Sequence, residues 1–211
     1  MKRTTLTNRL ILATLFLSGC GYNIQSSPTA WVKAYEVEIS DTEEGKRYSL
    51  CKSFGCDRRS AIQFEADELD QVRQHFSPPA TTAKEERLKI ATGIGLFEKI
   101  TGPRLRTFGD QPQNSFSFIS RSNQLDCVAE SLNTTRYLLI LQQMNLLQFH
   151  RPGGNVHRGP FTLNAPHNSA TIVQLDTQQA FAVDSWFGAN AEPAWVTPVD
   201  NWLTGADPDD E

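Results

Sequence analysis

The stretch Gln124-Leu125-Asp126-Cys127-Val128-Ala129-Glu130-Ser131-Leu132 reads as a polar loop entering a helix, with a cysteine at the first helical residue. Asp126 suits the N-cap, because its carboxylate can accept from the free backbone N–H groups of the first turn. Behind it Val128, Leu132, Thr135 and Leu139 recur at helical spacing, and Leu138, Leu141 and Leu146 widen the apolar side. The pattern predicts a helix from Cys127 to about Phe149, buried near the middle of the domain because it carries so few charges. A helix N-terminus holds partial positive charge and favours thiolate over thiol. Cys127 therefore stands where a nucleophile is useful. A buried structural cysteine is the competing reading.

The chain has 211 residues, enough for one domain with a sizeable core. Its first residues are of another kind. Lys2, Arg3 and Arg9 form a basic segment, and Leu10 to Leu17 form an apolar run too short to span a bilayer as a stable helix. The run ends in Leu17-Ser18-Gly19-Cys20, which resembles the lipobox of bacterial lipoproteins. That resemblance implies removal of residues 1–19 as a signal peptide, acylation of Cys20, and a linker through residue 30. Each buried methylene adds about 0.8 kcal/mol, so several acyl chains would hold the protein at a membrane durably. Gly21 after the cysteine, where aspartate would retain a lipoprotein, implies the periplasmic face of the outer membrane in the bacterial cell envelope. An ordinary secretory signal with a chance cysteine is the alternative.

Loss of Met1–Gly19 deletes three basic residues and leaves 17 against 24 acidic, a net charge of −7. No basic patch for nucleic acid is present. Residues 205–211, ending Asp207-Pro208-Asp209-Asp210-Glu211, read as a solvated acidic tail. Cys51 and Cys56 flank a turn containing Gly55, and an oxidising compartment would let them pair, adding roughly 2 kcal/mol on a chain-entropy account. A metal site there lacks two further ligands nearby, and a redox pair lacks the Cys-x-x-Cys spacing, so neither metal nor cofactor is expected. Cys127 is then the leftover thiol.

In chain order, Trp31–Ile39 alternates like a strand, and Tyr48–Leu50 and Ala61–Phe64 suggest two more around the Cys51–Cys56 turn. Asp67–Phe76 reads as a helix with Leu69, Val72 and Phe76 inward, ended by Pro78-Pro79. Thr82-x-x-Glu85 is a capping box opening a helix that Gly102-Pro103 should stop. Gly93 and Gly95 within it imply a close neighbour. Arg104–Ser122 is a long polar connection, and His150–Pro166 a glycine-rich loop. Two strands follow at His167–Leu175 and Ala180–Trp186, then a short helix from Thr197 to Leu203 that Asp200 caps beside Thr197. Asp176 suits the turn between the strands.

With a hairpin loop of Leu175–Gln178, Ser169 faces Asp184, and His167 is its diagonal neighbour on one face of the sheet. A thiolate attacks a carbonyl, an imidazole moves the proton, and a carboxylate orients the imidazole; Cys127, His167 and Asp184 supply these types. The N–H of Cys127 is a natural oxyanion donor, and Gln124, Asn114 and Gln113 are candidates for the second, Arg121 standing at the six-residue offset where papain has its donor. His150 and His157 read as surface residues or substrate contacts, Glu130 as a solvated or salt-bridged carboxylate. Trp186, Trp195 and Trp202 read as core, with Trp186 able to wall a cleft beside Asp184.

Asp126-Cys127-x-x-Glu130, a buried helix, His167 opening a strand and Val183-Asp184-Ser185-Trp186 closing the next resemble the transglutaminase-like superfamily, over residues 124–202. The resemblance implies an α+β, papain-like domain over residues 31–204, a central buried helix packed on an antiparallel sheet. It implies Cys127 as nucleophile, His167 as base and Asp184 as orienting acid in acyl transfer on amide bonds of an envelope protein or peptide. The alternative function is a non-catalytic envelope lipoprotein using the same fold as a binding or scaffold module.

Overall fold

The computed structural model describes residues 27–37, 39–42, 45–114, 123–159 and 165–210. The expected signal peptide, Cys20, most of its linker, Arg121 and Glu211 lie outside them. Helix α1 (Pro28–Ala34) starts the described chain. The Ser27 hydroxyl accepts from the Ala30 N–H at 3.1 Å, and Pro28 occupies the first turn, where a missing N–H costs nothing. This corrects the strand expected over Trp31–Ile39 and puts helix inside the expected linker. The apolar residues serve a helix instead: Trp31 and Tyr35, one turn apart, meet edge to face at 4.9 Å.

Strands β1 (Ile39–Thr42), β2 (Gly45–Cys51) and β3 (Arg59–Gln63) form an antiparallel sheet in that order. Cys51 and Cys56 are disulfide-bonded, and Gly55 takes the left-handed φ of 60° that the turn requires. Helix α2 (Ala66–His75) lies where expected, with Val72 and Phe76 buried.

Helix α3 (Ala83–Leu105) is capped by Thr82, whose hydroxyl accepts from the Glu85 N–H at 3.1 Å. The Glu85 carboxylate returns to the Thr81 N–H at 2.8 Å, one residue earlier than a capping box predicts. The helix runs past Gly102-Pro103, against expectation. The N–H groups of both Arg106 and Thr107 return to the Gly102 carbonyl, and Arg106, left-handed at φ 64°, closes the helix one turn beyond the proline. The close neighbours predicted for its glycines are the Phe76 ring at Gly93 and the backbone of Ala191–Glu192 at Gly95.

Helix α4 (Cys127–Gln143) stops short of Phe149. Asn145 turns left-handed at φ 56°, and a buried carboxylate from α3 then captures the chain. Glu86 accepts from the N–H groups of Gln148 (2.6 Å) and His150 (2.9 Å) and from His150 Nδ1 (2.9 Å). These bonds outweigh the cost of burial and hold the Glu86 pKa below the usual carboxylate range. His150 is buried in this contact, correcting its assignment to the surface, whereas His157 is exposed.

The expected loop at His150–Pro166 holds two strands, β4 (His150–Pro152) and β5 (Val156–Arg158). Both pair with one edge of β6 (His167–Gln174), β4 along its last residues and β5 along its first. Gly153 makes the hand-over: its N–H bonds the Thr171 carbonyl at 2.8 Å, and a Cβ there would collide with the Thr171 hydroxyl. On the other edge β6 pairs with β7 (Ala180–Asp184) in the expected register, Ala170 opposite Val183 and Val173 opposite Ala180. Asp176 serves the turn, accepting from the Thr177 N–H at 2.7 Å. Strand β8 (Trp195–Pro198) completes the sheet and has no counterpart in the sequence reading. Helix α5 (Val199–Leu203) follows, with Pro198 at its cap and no capping side chain, which corrects the cap expected of Asp200; Asp200 lies in the first turn instead.

The result is an α+β fold with antiparallel sheets and a buried helix packed on them. Helix α4 contacts β2 on one side and β6 and β7 on the other. The Phe97 ring of α3 stacks on Tyr137 of α4 at 4.9 Å. Ala170, Ile172, Phe181 and Val183 turn one sheet face to this core; Val173, Ala180 and Ala182 turn the opposite face to Trp202 of α5.

A Cβ on Gly95 would lie 2.6 Å from the Glu192 carbonyl oxygen, while one on Gly109 meets nothing within 4 Å. In chemical denaturation, Gly95→Ala should lose about 1–3 kcal/mol and Gly109→Ala should stay within about 0.5 kcal/mol of the parent.

Candidate active site

Cys127 opens α4, and its place is set from two sides. The Asp126 carboxylate caps the helix as expected, Oδ1 accepting from the Ala129 N–H at 2.9 Å. Its Oδ2 accepts from the Gly55 N–H at 2.9 Å, tying the disulfide turn to the helix start. Deeper in the helix the Asn133 amide pairs with both the N–H (2.8 Å) and the carbonyl (3.1 Å) of Cys51. On the other side the Leu125 N–H donates to Asp110 Oδ1 at 2.8 Å. The Cys127 thiol is free and half-buried.

His167 opens β6 and Asp184 ends β7, where the hairpin register makes them diagonal neighbours. His167 Nε2 meets Asp184 Oδ2 at 2.7 Å. The same oxygen accepts from Trp202 Nε1 at 2.7 Å, and Oδ1 accepts from the Trp186 N–H at 3.3 Å. The Cys127 sulfur lies near enough to the same imidazole to help raise its pKa. With Nε2 committed to Asp184, Nδ1 is the nitrogen left for it.

Three rings enclose the imidazole: Trp186 at 4.5 Å, Trp202 stacked at 5.3 Å and Phe187 at 5.6 Å. Trp186 is half-buried, beside the histidine as a cleft wall would be. Trp202 is core, as expected, but its bond to Asp184 was not anticipated. A buried indole N–H needs an acceptor, and that requirement is the signal that could have found it. Arg158 lies over the Trp202 ring at 4.6 Å and donates to the carbonyls of Trp202 (2.6 Å) and Ala206 (3.0 Å), anchoring the start of the acidic tail. Burial pushes the imidazole pKa down, but the Asp184 charge and hydrogen bond, with a smaller contribution from the sulfur, raise it to about 9. The arrangement can therefore hold a proton on the imidazole beside the sulfur at neutral pH.

Of the candidates for a second oxyanion donor, the Gln124 and Asn114 side-chain amides are engaged elsewhere. Gln124 Oε1 accepts from the Gln111 N–H at 3.0 Å and from the Asn114 side chain, and its Nε2 donates to the Gly109 carbonyl at 2.9 Å. Asn114 accepts Trp186 Nε1 on its carbonyl at 3.0 Å, and Gln113 donates its backbone N–H to the Trp186 carbonyl at 2.8 Å. Asn168 brings its Nδ2 to 4.0 Å from Cys127 Sγ, a contact the sequence did not flag.

Behind the site lies a group of buried carboxyls. Glu130, expected to be solvated or salt-bridged, is neither: it is buried and accepts from the Ser185 hydroxyl at 2.7 Å, which also meets Thr134 at 2.9 Å. Burial first, then the charges of Glu98 and Asp110, push its pKa well above the usual carboxylate range. Burial raises Glu98 to about 8, against a hydrogen bond from the Ala191 N–H at 3.0 Å. Burial likewise raises Asp110 to about 6. Among the described residues no three His, Cys, Asp or Glu side chains are grouped to hold a metal ion. No described helix is long and apolar enough to cross a membrane.

Two titrations follow from these shifts. Glu98 keeps its proton in the folded state up to about pH 8, against an ordinary value of 4.5. The stability it contributes is complete below that ordinary value and is lost as pH rises through about 8. Glu98→Gln, neutral throughout, should therefore gain melting temperature over the parent as pH goes from acid to alkaline; an equal difference at all pH would refute the assignment. For His167, the ring-proton NMR shift should titrate near pH 9, and in Asp184→Asn the midpoint should drop below neutrality, since burial then dominates.

No protein-family model, curated protein or solved structure matches the chain, so the geometry and the sequence motifs carry the functional reading by themselves.

Proposed function

We propose that this protein is a thiol enzyme of the transglutaminase-like type, papain-like in fold, that performs acyl transfer on amide bonds of envelope proteins or peptides. The single observation that carries the reading is the bond of His167 Nε2 to Asp184 Oδ2 at 2.7 Å beside a free Cys127 sulfur near enough to act on the same ring. The cysteine heads a buried helix, and the histidine and aspartate stand on adjacent antiparallel strands packed against it, which supports the papain-like assignment.

The chemistry follows from the residue types. The Cys127 thiolate adds to the amide carbonyl, and the charge that develops on oxygen is met by the Cys127 N–H at the helix terminus. His167, charged beside Asp184, gives its proton to the departing amine as the C–N bond breaks and a thioester remains. Water or a second amine then attacks the thioester, losing its proton to His167, and the thiolate is released. Asp184 holds the ring in one orientation and stabilises its cation. The lipobox-like Leu17-Ser18-Gly19-Cys20 supports lipid anchoring through Cys20 at the periplasmic face of the outer membrane.

The test is thiol reactivity. Between pH 6 and 7 Cys127 should react with iodoacetamide at least about tenfold faster than a model thiol, and His167→Ala should remove most of that advantage. On whole envelopes, an activity-based thiol probe should label the parent and not Cys127→Ala, whose envelopes should accumulate an unprocessed substrate. A thiol no faster than the model compound, with the cellular role intact in Cys127→Ser, would instead mark a scaffold.

A further inference from the structure

We infer that Asn168 is the side-chain donor of the oxyanion hole, with Asn155 holding its amide in place; this rests on the thiol-enzyme reading. One donor, the Cys127 N–H, comes with the helix terminus, and the residues first considered for the second are bonded into the loop under Trp186. Asn168 Nδ2 stands 4.0 Å from Sγ. The oxygen of a tetrahedral intermediate lies one bond beyond the carbon attached to sulfur. A donor at that distance from sulfur can therefore reach the about 2.7–3.1 Å that such an oxygen requires.

The neighbours of Asn168 suit an amide whose NH2 end faces the sulfur. Its Oδ1 accepts from Asn155 Nδ2 at 3.1 Å and faces His157 Nδ1 at 3.3 Å. Turned over, the amide would set its NH2 against the NH2 of Asn155 and aim an acceptor at the sulfur. The NH2 therefore points at Cys127. The placement comes from β5, whose pairing sets His157 directly opposite Asn168 and Asn155 just before the strand.

His167 and Asn168 are consecutive on β6 and leave it on opposite faces, so they approach the sulfur from different sides. The imidazole takes the proton-transfer side, which leaves the amide to the carbonyl oxygen. Asn155 is buried, and its own Oδ1 has no hydrogen-bond partner among the described residues. Burying an unsatisfied acceptor is costly, and here the cost maintains an amide whose other end fixes Asn168.

The experiment compares two reactions of the same thiol in the full chain. Acylation by para-nitrophenyl acetate passes through an oxyanion; alkylation by iodoacetamide displaces iodide at a saturated carbon and builds none. Asn168→Ala should slow acylation roughly 100-fold while alkylation stays within about threefold of the parent. Asn168→Leu keeps the side-chain shape without the donor or any new charge and should behave the same way, so that a folding defect cannot mimic the result. Asn155→Ala should show a smaller loss confined to acylation. Acylation unchanged in both Asn168 variants overturns the assignment, as does an equal fall in both reactions, which would mean that the amide supports the thiolate. A parent protein that is alkylated rapidly but never acylated overturns the enzyme reading itself, and this assignment with it.

Discussion

The Asp126 carboxylate accepts at once from the first turn of α4 and from the disulfide turn between β2 and β3. That double acceptance joins the small sheet to the buried helix at the point where the helix presents its thiol. The Asn133 amide repeats the link deeper in, pairing with Cys51 as a neighbouring strand would. Such bonds matter because the middle of α4, from Ala129 to Leu138, is buried, so that the placement of its half-buried start fixes how the whole helix enters the core. The disulfide thus does more than shorten a loop: it stiffens the surface on which the helix start rests.

Charge is distributed around the site with a clear division. On one side Asp184 receives N–H groups from His167, Trp202 and Trp186, all directed at its two oxygens. On the other, next along the chain, Ser185 gives its hydroxyl to Glu130, a carboxyl whose pKa burial raises well above the usual range. The two adjacent residues Asp184 and Ser185 therefore face different surroundings, one of N–H donors and aromatic rings, the other of buried carboxyls. Aromatic rings around His167 keep water from screening its contact with Asp184.

How much of this was legible follows from what each signal encodes. The Asp126 cap, the β6–β7 register and the convergence of Cys127, His167 and Asp184 could be read because each is set by short-range pattern: a capping side chain, alternation along two strands, a turn of definite length. The strand expected at Trp31–Ile39 failed because alternation over a few residues also fits a helix, and Ser27-Pro28 carried the stronger signal. Strands β4 and β5 are too short to show alternation and exist through pairing with β6. The end of α4 is decided by Glu86, distant in sequence, and so are the carboxyl cluster and the Trp202–Asp184 bond. Long-range partners of buried polar groups leave no local periodicity to read.

The chain holds three thiols among its described residues that could in principle find one another: Cys51, Cys56 and Cys127. Cys51 and Cys56 are separated by 5 positions, while Cys127 is far along the chain from both. Bringing the distant thiol to either partner costs roughly 2 kcal/mol more in closure entropy than closing the near pair. Once the near pair has formed, Cys51 is held by Asn133 and the turn by Asp126, so both sulfurs leave solution together. Pairing of the near thiols is thereby favoured over either alternative, and the sulfur at the head of the buried helix is left without a covalent partner.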